Sequence, residues 1–190
     1  MIKEDAYQLA ESFGYLTRAE VSAIKEAVVY LPPDSHVVNI GAGSGTSGLA
    51  ILETREDLRL TTVDIRLKAN PYGGLENEII ALEKSGIKYK HRHRQIHGDS
   101  RDVGRHWANG KLDMIFIDGD HSLEGASGDI AIWIKHVKKG GLILVDDYLS
   151  EKGPNKDVWP GVTVAVDTLL YPFYEIIVKA DSVIGFIINE

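Results

Sequence analysis

There is no cysteine in the 190 residues of this chain. That excludes a disulfide framework, a zinc site built on thiolates and a thiol nucleophile. Positive charge is scarce as well: 21 lysines and arginines stand against 28 aspartates and glutamates, a net charge of -7. A protein that holds nucleic acid broadly through its phosphates shows a basic face, so nucleic acid is not the expected partner. No apolar run is long enough to cross a bilayer, and the opening Met1-Ile2-Lys3-Glu4-Asp5 lacks the apolar core of a secretion signal. Together these absences lead to the expectation of a cytoplasmic protein with no membrane partner. Repeats, linkers and low-complexity stretches are missing too. Residues 1–190 therefore read as one domain, a helical cap over 1–33 and an α/β core over 34–190. Hydrophobic residues make up 44% of the chain, ordinary for a globular protein of a size that can bury a sizeable core.

The chain is organised around Val37-Val38-Asn39-Ile40-Gly41-Ala42-Gly43-Ser44-Gly45-Thr46-Ser47-Gly48. A β-branched run stops at a glycine-rich turn, and Leu49-Ala50-Ile51-Leu52 then begins a helix. Glycines let the backbone turn sharply and approach a ligand closely. The helix that follows offers unpaired N–H groups and a positive dipole end to an anionic group. This is a nucleotide-type pocket at the carboxyl end of a strand.

The other elements fall in order around it. Thr17 and Glu20 have the spacing of a capping box; Val21, Ile24 and Val28 continue at helical spacing, and Pro32-Pro33 stops that helix. Strands are expected at His36 to Ile40, Leu60 to Asp64 and Lys90 to His97. The nearly continuous apolar run Leu112 to Ile117, ending at Asp118, and Leu142 to Val145, ending at Asp146-Asp147, fit parallel strands buried on both faces. Leu75, Ile79 and Leu82 mark a helix closed by Gly86. Ile130, Trp133, Ile134 and Val137 mark another, closed by Lys138-Lys139-Gly140-Gly141. Ser150 to Gly161 reads as a loop, Val162 to Leu170 as a short helix, and Phe173 to Lys179 with Val183 to Asn189 as a hairpin. Asp64 lies roughly twenty residues past the glycine turn, where a βαβ unit places a carboxylate for ribose hydroxyls.

Five strand–helix alternations closed by an antiparallel hairpin resemble class I S-adenosylmethionine-dependent methyltransferases, over nearly the whole chain. The resemblance implies a three-layer, Rossmann-like α/β fold with a seven-stranded, mostly parallel sheet. Gly41-Ala42-Gly43-Ser44-Gly45 resembles the family's first motif, so Gly41, Ala42, Gly43 and Gly45 are expected against the methionine part of the cofactor. Asp64 is expected on the ribose, and Asp99 with Ser100 at the adenine. Ile117-Asp118-Gly119-Asp120-His121-Ser122, with Gly140-Gly141 and Val145-Asp146-Asp147-Tyr148, is similar to metal-dependent O-methyltransferases of the macrolide-sugar and cephalosporin-hydroxylase-like branch. The resemblance implies that Asp118, Asp146 and Asp147 hold Mg²⁺ or another hard divalent cation, and that His121 is the general base. Asp118 is thereby also expected at the cofactor. The implied reaction is methylation of a hydroxyl on a small molecule.

Physical chemistry agrees with that assignment. Methyl transfer from a sulfonium needs an aligned nucleophile and, for a hydroxyl, removal of its proton. A hard cation bound by oxygens lowers the pKa of a coordinated hydroxyl. Alternatives stay open at this point. Gly43-Ser44-Gly45-Thr46-Ser47-Gly48 also satisfies the dinucleotide pattern of an NAD(P)-binding oxidoreductase, and a non-catalytic cofactor-binding module on the same fold would keep the same residues. Asn70-Pro71-Tyr72 resembles part of a DNA-methyltransferase motif but follows the second strand instead of the fourth, and reads as a turn. The basic stretch Lys88 to Arg94 reads as a charged edge strand in preference to a site for an anionic partner. Tyr15, Tyr148 and Trp159 are candidates for the acceptor's wall. A homo-oligomer through the N-terminal helix stays open.

Overall fold

The apolar runs form the middle of a sheet, because only a strand covered on both faces is apolar in both directions. A computed structural model of the chain describes residues 4–13, 15–69, 71–150 and 158–189. Its strands are β1 (His36–Ile40), β2 (Arg59–Asp64), β3 (His93–His97), β4 (Leu112–Ile117), β5 (Val137–Val145), β6 (Glu175–Ala180) and β7 (Val183–Ile187). They make one sheet in the order β3-β2-β1-β4-β5-β7-β6. The first five run parallel, and β7 is antiparallel to both β5 and β6. The helices are α1 (Ala6–Phe13), α2 (Arg18–Val29), α3 (Thr46–Thr54), α4 (Leu75–Ser85), α5 (Ser100–Arg105), α6 (Leu123–Trp133) and α7 (Pro160–Leu169).

Alternation along the strands divides the core in two. Val37, Leu60, Met114, Phe116 and Leu144 pack with α1, α2, α3 and α4. Val38, Val63, Ile115, Ile143 and Val145 pack on the other face with α6 and α7. This is the three-layer α/β arrangement expected from the sequence. Among the described residues no helix is long and apolar enough to cross a membrane.

Some boundaries differ from expectation. The third strand starts at His93, not Lys90, because Arg92 turns its guanidinium inward to the carbonyls of Leu52, Arg55 and Lys88. Two residues of the basic stretch are thus structural: Arg92 is 6% exposed, and His93 pairs with buried Glu78 at 3.1 Å. The helix over Ile130 ends at Trp133, and after a 3₁₀ turn at Ile134–His136, Val137 opens β5. Lys138 to Gly141 therefore lie in a strand and do not close a helix. Lys138 Nζ is paired with Asp113 Oδ1 at 2.7 Å, and the Gly140 N–H donates to the Ile188 carbonyl. Much of the expected loop, residues 151–157, falls outside the described residues, as does Asn70.

Histidine at the start of β1 gives the fold a pH dependence. His36 is 6% exposed. Its Nε2 meets Thr61 Oγ1 at 3.0 Å, its Nδ1 has no partner among the described residues, and its ring tilts against Trp107. Burial, then the charge of Arg59, lowers the imidazole from 6.5 to about 4; Lys138 and Arg94 act the same way and Asp113 opposes them. The unfolded chain takes this proton near 6.5 while the folded one refuses it until about 4. The stability His36 contributes is therefore fully present above 6.5 and is lost as pH falls towards 4. Urea unfolding at pH 7.5 and 4.5 should show that His36→Phe loses about 2 kcal/mol less than the wild type over that interval. Equal losses would mean that His36 does not carry the linkage.

Candidate active site

The parallel strands deliver their last residues to one rim, and the rim opens between β1 and β4, where the strand order reverses. A cavity of about 680 Å³ lies there, lined by residues from the ends of β1 to β5. At its centre is the glycine turn. Gly41 has φ +89, and a Cβ on it would overlap the carbonyl oxygen of Asp118. Gly43 has φ +50 with nothing within 4 Å of its Cβ position, so its bare edge faces the cavity it lines. Gly45 caps α3 with no side-chain hydrogen bond, so no cap side chain covers the first N–H groups of that helix. Gly45 itself is backed by Glu78 Cα, 2.7 Å from its Cβ position, and a side chain on Gly48 would overlap Glu78 Oε1.

Asp64 ends β2 on the cavity wall. Its Oδ2 accepts the Ala42 N–H and its Oδ1 the Arg66 N–H, both at 2.7 Å. The carboxylate is thus aimed by backbone, with lone pairs left for a ligand hydroxyl. Asp99 caps α5, accepting from the N–H groups of Arg101 and Asp102. The Arg101 guanidinium, 2.9 Å away, holds the Asp99 carboxyl down at about 2. Ser100 and Arg101 complete that wall.

At the opposite end, Asp118 from β4 and Asp147 from beyond β5 converge on His121. Nε2 of His121 lies 2.8 Å from Asp147 Oδ2 and 3.6 Å from Asp118 Oδ1. One ligand atom from each of the three lies within 4.8 Å of the others. Burial alone would lower the imidazole, but the two carboxylates outweigh it and raise it to about 10. Trp159 stacks on the same ring, centroids 4.5 Å apart and planes at 22°. Asp147 takes a left-handed φ of +62, a conformation that Asp and Asn tolerate better than most residues. Asp146 also lines the cavity, but its Oδ1 accepts from Ser182 Oγ at 3.0 Å. The donor set assembled among the described residues is therefore Asp118, His121 and Asp147, with Asp146 beside it. Asp118 and Asp147 offer the oxygen ligands that suit a hard divalent cation, and His121 stands between them.

Sequence reasoning missed the residues that hold these groups. Ser182 gives its carbonyl to the Tyr148 N–H, and its Oγ also meets Glu20 Oε1 at 2.5 Å. Glu20 is fully buried and is the same residue that closes the capping box on Thr17; the box was a readable signal, its second role was not. Gly73 and Gly74 press the loop before α4 onto the glycine turn, with the Gly74 N–H donating to the Gly43 carbonyl at 2.9 Å. Of the aromatic candidates, Tyr15 and Trp159 line the cavity. Tyr148 does not: it is 5% exposed and its hydroxyl donates to Asp167.

The topology, with its reversed last strand, and a cavity bounded by a glycine turn and strand-end acids define a class I methyltransferase architecture. The chain belongs to the family described as Methyltransferase domain (Methyltransf_24), whose pattern matches residues 38–148. Among curated proteins, it is 26% identical over 115 residues to an uncharacterised protein of Acanthamoeba polyphaga mimivirus, covering 60% of this chain and 52% of that one. It is 32% identical over 136 residues to a protein of Mycobacterium sp. strain JLS classed as an O-methyltransferase, covering 70% and 56%. The chain thus spans about half the length of these relatives. Among solved structures, a Staphylococcus aureus protein assigned as a caffeoyl-CoA O-methyltransferase superposes with TM-score 0.74 at 17% identity, covering 98% of this chain and 93% of that one. The O-methyltransferase TomG of Streptomyces achromogenes, solved with S-adenosylmethionine, gives 0.67 at 15% identity over 100% and 92%. The methyltransferase MycE of the mycinamycin pathway, solved with Mg, S-adenosylhomocysteine and mycinamycin VI, gives 0.65 at 18% over 99% and 55%.

Proposed function

We propose that this chain transfers a methyl group from S-adenosylmethionine to a hydroxyl oxygen of a small molecule, at a site that also holds a divalent cation. The observation that carries the reading is the convergence of Asp118, His121 and Asp147 on the cavity whose other walls are the glycine turn and Asp64. The cofactor fits these residues. Its carboxylate suits the N-terminus of α3, the open edge of Gly43 admits its chain, and Asp64 accepts from the ribose hydroxyls. The bound cation supplies Lewis-acid activation and orientation of the acceptor hydroxyl. Asp118 and Asp147 would hold it. His121 stands between these two carboxylates and would take the proton of the hydroxyl. Trp159 and Tyr15 wall the acceptor's side, and TomG and MycE, both of the same fold, support a small-molecule acceptor.

The oxidoreductase reading is less favoured because β7 reverses between β5 and β6, whereas the dinucleotide fold continues in parallel. The deciding experiment is calorimetric titration of EDTA-treated protein with S-adenosylmethionine, then NADH, each with and without Mg²⁺. It is followed by methyl-labelled S-adenosylmethionine and a panel of hydroxylated acceptors. Binding of S-adenosylmethionine with label transfer that EDTA stops is the expected result; NADH binding in its place would overturn the proposal. Within it, Asp64→Ala should weaken S-adenosylhomocysteine binding by about 10- to 100-fold, the loss of charge-assisted hydrogen bonds. The metal titration should not move. An unchanged affinity would remove Asp64 from the ribose.

A further inference from the structure

Among the buried acids that the reaction does not use, one stands beside the cavity. Asp129, on α6, is 1% exposed and is not among the residues that line the cavity. It stands directly behind two residues that are. Its Oδ1 accepts from Ser100 Oγ at 2.5 Å, and its Oδ2 lies 3.3 Å from the Cβ position of Gly119. A second bond from the same helix reaches Ser100: Trp133 Nε1 donates to its carbonyl at 3.1 Å. Small residues bring α5 and α6 close enough for this. A Cβ on Gly104 would stand 2.6 Å from Ile132 Cγ2, and one on Gly128 would stand 2.9 Å from Arg101 Cδ.

Burying a carboxyl here is costly. Burial pushes the Asp129 carboxyl up to about 6, with Asp99 and Asp120 acting the same way and Ser100 and Arg101 opposing. An apolar residue would fill α6 without that cost, and buried, perturbed acids beside a cavity cluster at functional sites. Beyond Asp64, the cavity is lined by Gly98, Asp99, Ser100 and Arg101, and by Gly119 and Asp120. This is the space left for the base of a nucleoside whose ribose lies on Asp64.

We propose that Asp129 is a positioning residue for recognition of the cofactor's adenine, acting through its hydrogen bond to Ser100 and its support of Gly119. The proposal rests on the S-adenosylmethionine reading and adds to it a residue outside the cavity that sets base selectivity. The hydroxyl of Ser100 has one proton and gives it to Asp129. Its oxygen is thereby fixed in one orientation, with its lone pairs left for the base. Asn at position 129 retains an acceptor for Ser100, whereas Ala does not.

The test is calorimetric titration with S-adenosylhomocysteine and with its inosine counterpart, in which an oxo group replaces the adenine amino group. The proteins are the wild type, Asp129→Ala, Ser100→Ala, the double variant and Asp129→Asn, with a Mn²⁺ titration on each. Both single Ala variants should weaken S-adenosylhomocysteine by about 10-fold and narrow the preference for adenine over hypoxanthine. The double variant should be no weaker than either single, because both remove the same interaction. Asp129→Asn should stay within about 3-fold of the wild type, and Mn²⁺ binding should be unchanged throughout. Losses that add in the double variant, or an unchanged base preference in folded Ser100→Ala, would overturn the proposal. Ser100→Ala decides the matter should Asp129→Ala not fold. Failure of the wild type to bind S-adenosylhomocysteine would instead overturn the cofactor reading, before any variant is compared.

Discussion

Gly41→Ala is expected to lose most of the stability of the fold, more than about 3 kcal/mol, and to bind no cofactor. Two effects add. Gly41 sits at φ +89, where a side chain costs about 1 to 2 kcal/mol. Its Cβ would also overlap the carbonyl oxygen of Asp118, and neither partner can retreat. The Gly41 N–H donates to the Val63 carbonyl and the Asp118 N–H to the Ile40 carbonyl, both at 2.9 Å. The overlap therefore falls between the two central strands, and relieving it means parting β1 from β4. Gly43→Ala is the control. Its φ is +50, but nothing lies within 4 Å of the added carbon, so the cost should be about 1 kcal/mol. Urea unfolding of the two variants beside the wild type measures both effects. Equal midpoints would show that the close approach of β1 to β4 is not what requires glycine at 41.

How far the sequence discloses this molecule depends on the range of each signal. The central parallel strands were legible because burial on both faces writes itself as a nearly continuous apolar run, as in Leu112 to Ile117. The glycine turn was legible because positive φ and close backbone approach favour glycine. Helix ends were less so: Val137 keeps the helical spacing of Ile130, Trp133 and Ile134, yet it starts β5, because pairing with Leu112 of β4 is a contact that periodicity does not encode. Arg92 reads as surface charge and is instead bonded to three carbonyls. The site shows the same division. Asp64, Asp118 and Asp147 occupy strand ends, which topology brings together. Asp129 and Ser182 act from α6 and from the hairpin turn, and their partners lie 29 and 36 residues away in the chain. Nothing local marks them; in sequence each is one polar residue among many.

Asp147→Asn should lower the affinity for a divalent cation by at least about 100-fold, roughly 2.7 kcal/mol, and leave S-adenosylhomocysteine binding intact. Asn is the right replacement because the backbone there has φ +62, which Asn accepts as readily as Asp. The variant removes charge without removing the shape. Asp147 and Asp118 are the carboxylates that reach the common centre with His121, so losing one removes a direct, charged oxygen ligand. Asp146→Asn should behave differently. With its Oδ1 turned to Ser182 Oγ, Asp146 is placed to hold the end of β5 in position, and an effect on the cation of no more than about 10-fold is expected, the scale of a supporting residue. Stability should fall as well, since Ser182 joins Asp146 to Glu20 on α2. Mn²⁺ titration and urea unfolding of the two variants separate the roles. A larger metal loss in Asp146→Asn than in Asp147→Asn would move the centre to Asp146.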